Sequence, residues 1–244
     1  MNSKHAYRLK ELNLLPVWRQ KSNISEYGGK FSHEEPSIQE TPPNTFHPVE
    51  DSQLIKESDQ TSWNQLKQAV TDCFRCQLSH TRIHTVFGVG DEHADWLFIG
   101  EGPGAREDEI GEPFVGQAGK LLDQMLAAIR LKRGDNVYIT NIVKCRPPGN
   151  RNPTLNEARQ CESYLIKQIE LIKPKLIVAL GKVAAQNLLK CDDSISSLRG
   201  KVHHYSDIPL IVTYHPAYLL RSLPEKAKAW KDLCFANTTM QSLK

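Results

Sequence analysis

Three polar side chains that could read a planar ligand or move charge each come directly after a short apolar run. Glu101 follows 96–100, Asn141 follows 137–140, and His215 comes just past 210–213, while a fourth run, 176–180, ends at the backbone-exposing Gly181. A carboxylate, a carboxamide and an imidazole at one rim could hydrogen-bond a polar ligand and stabilise developing charge. Taken singly, each has a duller role. Glu101 lies in Gly100-Glu101-Gly102-Pro103-Gly104, whose glycine spacing is wrong for a dinucleotide fingerprint. Asn141 could simply turn the chain, and His215-Pro216 could start a rigid loop. In Pro113-Phe114-Val115-Gly116 an aromatic sits in a glycine-flanked loop outside any periodic element. Phe114 there could cover the core, or stack on an extruded base, which is worth roughly 1–3 kcal/mol.

The cysteines form a second constellation. Cys73 and Cys76 make a C-x-x-C pair, and Cys145 and Cys161 flank a proline-rich loop. C-x-x-C fits zinc or iron–sulfur chemistry. The second pair lacks the short spacing of a zinc ribbon and comes from a loop and the helix after it, which suits a cluster better. Cys161 nearly shares the apolar stripe of its helix, so a buried, unligated thiol is its alternative. Cys191 and Cys234 read as core residues, the latter on one helix face with Ala227 and Trp230. The loop 144–152 is basic and proline-stiffened, and Arg146 and Arg151 in it suit a phosphate backbone. Lys120, Lys182, Arg199, Lys201 and Arg221 are further phosphate candidates, against the alternative of a solvated positive face.

What must position these residues is legible in the periodicity. The four apolar runs lack polar alternation, as strands buried on both faces do. Helical spacing covers 118–129 and 155–172, with Leu155, Ala158, Leu165, Ile169 and Ile172 on one stripe, and further helices are expected at 181–189 and 224–237. A capping box from Thr154 to Glu157 starts the second helix and Pro174 ends it. The expected fold class is α/β, a three-layer α/β/α sandwich around a mainly parallel four-stranded central sheet. Ligands of such sheets bind at the carboxyl ends of the strands, where Glu101, Asn141, Gly181 and His215 fall.

Composition permits but does not identify a nucleic-acid binder, because the formal net charge of +3 is small. No run of eighteen apolar residues is present to span a membrane, and the start lacks the apolar core of a secretory signal. A cytoplasmic, nucleoid-associated protein is therefore expected, with cysteines that ligate metal or fill the core instead of forming disulfides. Residues 22–60, rich in Ser, Glu, Pro, Asn and Thr, read as a disordered linker. Ahead of it, residues 1–21 hold an apolar island, with Leu12, Leu15 and Trp18, that reads as a partner-docking peptide or a terminal helix. The catalytic-type domain is expected over 61–244, as a monomer, since one chain supplies the whole rim.

Together Cys73-Phe74-Arg75-Cys76, the Gly100–Gly104 motif, Pro113–Gly116, Asn141–Pro148, Cys161, Ala179–Lys182 and His215–Arg221 resemble the iron–sulfur, family 4 uracil-DNA glycosylases, over roughly Trp63 to the end. The resemblance implies a monofunctional enzyme that removes uracil from single- or double-stranded DNA and leaves an abasic site. It implies a [4Fe–4S] cluster on Cys73, Cys76, Cys145 and Cys161. By position, Phe114 stacks on the flipped uracil, Asn141 bonds its Watson–Crick edge, the Gly102 backbone contacts a base oxygen, and His215 supports the leaving group. Glu101 matches the motif carboxylate, and Glu107 and Asn150 fall at positions also tied to the family's site. The resemblance does not say which of them handles the attacking water. The segment 215–221 would enter or brace the minor groove, with Leu219 or Leu220 filling the vacated space. The rival from another class is a catalytically silent iron–sulfur DNA-binding or redox module, against which the intact set of Glu101, Phe114, Asn141 and His215 argues. The amino-terminal island itself weakly resembles the start of the psi subunit of bacterial DNA polymerase III, so a replication or repair protein is the expected partner there.

Overall fold

The computed structural model describes residues 63–243. The expected docking peptide (1–21) and linker (22–60) lie outside the described residues. Six strands form one sheet: β1 (Val89–Gly90), β2 (Trp96–Gly100), β3 (Val137–Asn141), β4 (Leu176–Leu180), β5 (Val202–Tyr205) and β6 (Ile208–Thr213). Their spatial order is β1-β3-β2-β4-β6-β5. The four central strands are the four expected runs, all parallel, with Gly100 opposite Asn141 and Leu180 opposite Thr213 at their carboxyl ends. The sheet therefore has six strands where four were expected. The additional edge strands, β1 and β5, pair antiparallel to β3 and β6. Neither carries an apolar run: β1 is two residues long, and β5 (Val-His-His-Tyr) alternates between exposed and half-buried positions, as a solvent-side edge does.

Helices cover both faces: α1 (Trp63–Thr71), α2 (Ala105–Ile110), α3 (Gln117–Ala128), α4 (Leu155–Ile172), α5 (Lys182–Leu189), α6 (Ile195–Leu198), α7 (Pro216–Arg221) and α8 (Lys226–Ser242). Alternate strand residues feed two separate cores. Leu97, Ile99, Ile177, Ala179, Leu210 and Val212 meet α1, α4 and α5 on one side. Trp96, Phe98, Ile139, Val178, Leu180 and Ile211 meet α3, α7 and α8 on the other. Because both faces are covered, the period of two is invisible in the sequence although the side chains obey it.

Helix α4 opens on the expected capping box. Thr154 Oγ1 accepts from the Glu157 amide at 3.2 Å, and the Glu157 carboxylate accepts from the Thr154 amide at 2.7 Å. Two details of its face and of α8 differ from expectation. Leu155 is 71% exposed, outside the buried stripe, and Cys161 lies within that stripe with Ala158, Leu165 and Ile169. On α8 the buried stripe is Ala229, Leu233, Ala236 and Met240, leaving Ala227 exposed and Cys234 only half-buried. Among the described residues no helix is long and apolar enough to cross a membrane.

Candidate active site

Above the carboxyl ends of β2, β3, β4 and β6 opens a cleft of about 690 Å³. Glu101, Gly102, Glu107, Phe114, Asn141, Asn150, Arg151, Gly181, Lys182, His215 and Arg221 all line it, so the residues expected at the strand ends converge on one hollow. Their closeness depends on a missing side chain. A Cβ added to Gly100 would fall 2.4 Å from Asn141 Oδ1 and 2.6 Å from the Phe114 ring, so a side chain there would force both out of the cleft floor. The rings of Phe114 and His215 lie 5.5 Å apart, tilted by 32°.

Phe114 holds a left-handed backbone (φ 56°), an uncommon state for a bulky residue that its surroundings must enforce. Arg133 donates to the Pro113 and Phe114 carbonyls, each at 2.8 Å, and is itself held by Asp123. On the other side, Glu107 Oε1 accepts from the Val115 and Gly116 amides, each at 2.9 Å. Helix α3 then packs so tightly under this loop that a Cβ on Gly119 would meet the Phe114 carbonyl oxygen at 1.7 Å. Phe114 is a core residue at 5% exposure, as the duller of its two expected roles has it, and it also lines the cleft.

Asn141 ends β3 at 1% exposure, and its Oδ1 is a buried acceptor with no hydrogen-bond partner among the described residues. Buried polar atoms are almost always satisfied, so an orphan facing a cleft marks a place for a ligand donor. Burial raises the pKa of Glu101, and no opposite charge among the described residues offsets it. Glu107, by contrast, has one carboxylate oxygen occupied by the Phe114 loop.

His215 caps α7: its Nδ1 accepts from the Ala217 amide at 3.1 Å. With Nδ1 engaged as an acceptor, the neutral ring must carry its proton on Nε2. Burial pushes its pKa down from 6.5 to about 4, helped by Arg221 and opposed by Glu107. The ring therefore stays neutral at physiological pH. Protonation would also put a hydrogen on Nδ1 and destroy the cap. The linkage has a definite sign: the unfolded chain takes up this proton as pH falls through 6.5 and the folded chain only near 4, so stability is lost between those values. Nitrogen chemical shifts of His215, followed by NMR, are expected to show no transition near pH 6.5; a midpoint there would refute this picture of the ring.

The loop carrying Asn150 is tied down at two points. Arg146 Nε donates to Asn150 Oδ1 at 2.7 Å, and Arg151 forms a bidentate pair with Glu157 at 2.7 and 2.8 Å. Arg146 does not line the cleft, although its partner Asn150 does. Leu219 corrects the expectation for it. It is fully buried in the core where α7 packs on α3, so it is not offered to a groove, whereas Leu220 is half-buried and Tyr218 is 38% exposed on the cleft side. The reason is α7 itself, which was not expected: as a helix, 216–221 turns Leu219 inward. Arg199 is likewise turned in, paired with the buried Asp232 at 2.6 and 2.9 Å and stacked over the Tyr214 ring. Tyr214 and Tyr218, 5.2 Å apart by ring centroids, line the cleft and were missed by the sequence reading. Their spacing of four residues, straddling His215, was the available signal.

The four cysteines of interest gather on the face of the sheet covered by α1 and α4. Cys73, Cys76, Cys145 and Cys161 line one small cavity with Arg75, Arg82, Lys144 and Tyr164, and all four are free thiols. Donors face the sulfurs: Arg82 approaches Cys145 Sγ at 3.1 Å, and the Lys144 amide approaches Cys161 Sγ at 3.3 Å. Among the described residues, no three Cys, His, Asp or Glu side chains close on one point as a single metal ion requires. Lys144, expected as part of the basic, phosphate-facing loop, is instead buried beside them at 1% exposure. Burial pushes its ammonium down to about 7, against the pull of the Cys161 and Cys145 sulfurs.

A family model described as the uracil DNA glycosylase superfamily matches residues 87–235, which include every strand end that builds the cleft. The chain belongs to this superfamily. Among relatives of the glycosylase superfamily, a type-4 uracil-DNA glycosylase from Archaeoglobus fulgidus is 46% identical over 65% of this chain and 83% of its own. One from Pyrobaculum aerophilum is 40% identical over 69% and 89%, and one from Sulfurisphaera tokodaii 44% over 65% and 76%. The cysteine pair at 73 and 76 lies ahead of the residues that the superfamily model matches.

Proposed function

We propose that this chain is a monofunctional uracil-DNA glycosylase that extrudes uracil from single- or double-stranded DNA and hydrolyses its N-glycosidic bond, leaving an abasic site. One observation carries the reading: the unpartnered Asn141 Oδ1 on a cleft floor flanked by the Phe114 ring. Uracil offers an N–H donor beside a carbonyl acceptor, the complement of a carboxamide's oxygen and amide hydrogens. Stacked on Phe114, its ring presents that edge to Asn141. When the C1′–N1 bond breaks, the bonding electrons go to the base and positive charge spreads over the sugar. The neutral His215 Nε2–H donates toward the base oxygen where negative charge grows. The Gly102 backbone supports a second base oxygen.

Glu101 is assigned to orient the attacking water and take its proton as the oxygen adds to C1′, since Glu107 is already engaged by the Phe114 loop. Asn150, held by Arg146, faces the same water from the other rim. Lys182, Arg151 and Arg221 meet phosphates along the cleft mouth, and Leu220 and Tyr218 face the minor groove. The substrate lies in the cytoplasm at the nucleoid, and residues 1–21 dock a replication or repair protein.

The cysteine cavity fits an iron–sulfur cluster. In a [4Fe–4S] cluster each thiolate binds its own iron, so four dispersed sulfurs in one donor-lined cavity suit it better than a mononuclear ion. When bound on Cys73, Cys76, Cys145 and Cys161, it supplies a cross-link between the end of α1, the loop after β3 and α4. Purified protein incubated with a uracil-containing oligonucleotide, then alkali, is expected to break the strand at uracil. An unbroken strand at any enzyme excess would overturn the enzymatic reading. Anaerobic preparations are expected to be brown with iron and sulfide, and a colourless zinc protein would overturn the cluster.

A further inference from the structure

Of the six-membered aromatic rings that line the cleft, Phe114 and Tyr214 are buried and Tyr218 alone is exposed. Tyr218 lies three residues beyond His215, and its amide donates to the His215 carbonyl at 2.9 Å, so the ring at the cleft mouth is fixed to the residue beside the leaving base. Helix α7 is anchored beneath both. Pro216 and Leu219 are buried, and Leu219 belongs to the core that α3 and α8 share. The exposed ring therefore stands on a seated helix and not on a loose loop.

It is also backed from behind. The Tyr214 ring lies 5.2 Å away between centroids, and the Arg199 guanidinium sits 4.4 Å from the centre of the Tyr214 ring. Arg199 makes two bonds to the buried Asp232, at 2.6 and 2.9 Å, and Thr213 Oγ1, at the end of β6, donates to the same carboxylate at 2.8 Å. A chain of contacts from Asp232 through Arg199 and Tyr214 thus reaches Tyr218. Its inner end is stiff, because a buried guanidinium and carboxylate cannot part without leaving a charge unpaired.

Neighbouring residues of α7 are placed differently. At about 100° per helical residue, Leu220 points some 200° away from Tyr218, so the two can flank a groove but only one can fill a given gap. Leu220 does not line the cleft and packs against the core. Arg221, three residues after Tyr218, does line it and shares the Tyr218 face. A ring and a guanidinium side by side are what a base stack and its adjoining phosphate would meet.

We propose that Tyr218 is the wedge of this enzyme: in a duplex its ring enters the space that the extruded uracil leaves, stacks on the flanking bases and keeps the uracil from returning. The inference deepens the proposed glycosylase function and rests on it. An aromatic ring suits the task because every base has a π-face, so the wedge works in any sequence. Its benefit is confined to substrates with a stack to hold open. Extrusion costs most for uracil paired with adenine, less for a mismatch with guanine and least in a single strand.

Tyr218→Ala in the full-length protein is compared with wild type by single-turnover excision on those three substrates. The variant is expected to be slower on the order of 10–100-fold opposite adenine, the loss of one base–aromatic stack, with a smaller loss opposite guanine and a change within about threefold on the single strand. A pyrene nucleotide placed opposite uracil fills the gap from the other strand, and is expected to return the variant to within about threefold of wild type on that duplex. Tyr218→Phe, which keeps the ring, is expected to match wild type on all three. Equal losses on the three substrates, no rescue by pyrene, or Tyr218→Phe as slow as Tyr218→Ala overturns the proposal. So does the same graded loss in Leu220→Ala with none in Tyr218→Ala. A wild-type protein that leaves uracil in place in every substrate would instead strike the glycosylase reading itself, so the two failures are separable.

Discussion

His215→Ala is expected to slow uracil excision on the order of 10²–10³-fold while leaving affinity for undamaged DNA nearly unchanged, the loss typical of removing one preorganised donor to a developing anion. The effect should be concentrated in the chemical step. The ring is neutral, its Nδ1 is committed to the Ala217 amide, and only Nε2 is left to donate, so its contribution grows as charge moves onto the base. Ground-state binding needs it less. The variant also removes the side-chain cap of α7, which typically costs about 1 kcal/mol of stability. His215→Asn keeps a cap and separates the two roles: it should restore most of the melting temperature and little of the rate. Single-turnover kinetics and thermal melts on both variants check this, and a rate within threefold of wild type for His215→Ala would remove the histidine from the mechanism.

Asn141→Ala is expected to reduce excision about 10²-fold, from the loss of two hydrogen bonds worth roughly 1–1.5 kcal/mol each in a water-excluded pocket. Its stability signature is opposite to that of an ordinary buried polar deletion. In the free protein Oδ1 has no partner, so the wild type carries the cost of an unsatisfied buried acceptor that alanine relieves. The melting temperature of Asn141→Ala should hold or rise. A sharp fall in melting temperature with normal excision would mean that the carboxamide serves the fold and not the base.

Much of this was readable in the linear chain, and the misses share a cause. The four central strands and the start of α4 were readable because apolar runs and a capping box are local signals. The edge strands and α7 were not. Strand β5 is polar and half exposed, so only its pairing with β6 defines it. Helix α7 is six residues long and depends on His215 as its cap and on Leu219 seated against the core. That seating is what withdrew Leu219 from the surface. Arg199 shows the same limit for charge: a basic residue in a polar stretch reads as solvent-facing until the buried Asp232 is placed beside it.

Residue type and order alone determined which chemistry was available: a carboxylate, a carboxamide and an imidazole at strand ends, an aromatic in a glycine-flanked loop, and four cysteines in two pairs. Strand-end position follows from periodicity, and a parallel sheet turns it into shared location, so convergence on one cleft was derivable without coordinates. The tertiary structure decided how each group is committed. It left Asn141 Oδ1 unpartnered, tied Glu107 to the Phe114 loop, set the tautomer of His215 through the Ala217 amide, and sealed Lys144 between the asparagine and the cysteines. Hydrogen bonding and desolvation depend on atoms brought together from distant parts of the chain, and no local pattern encodes them.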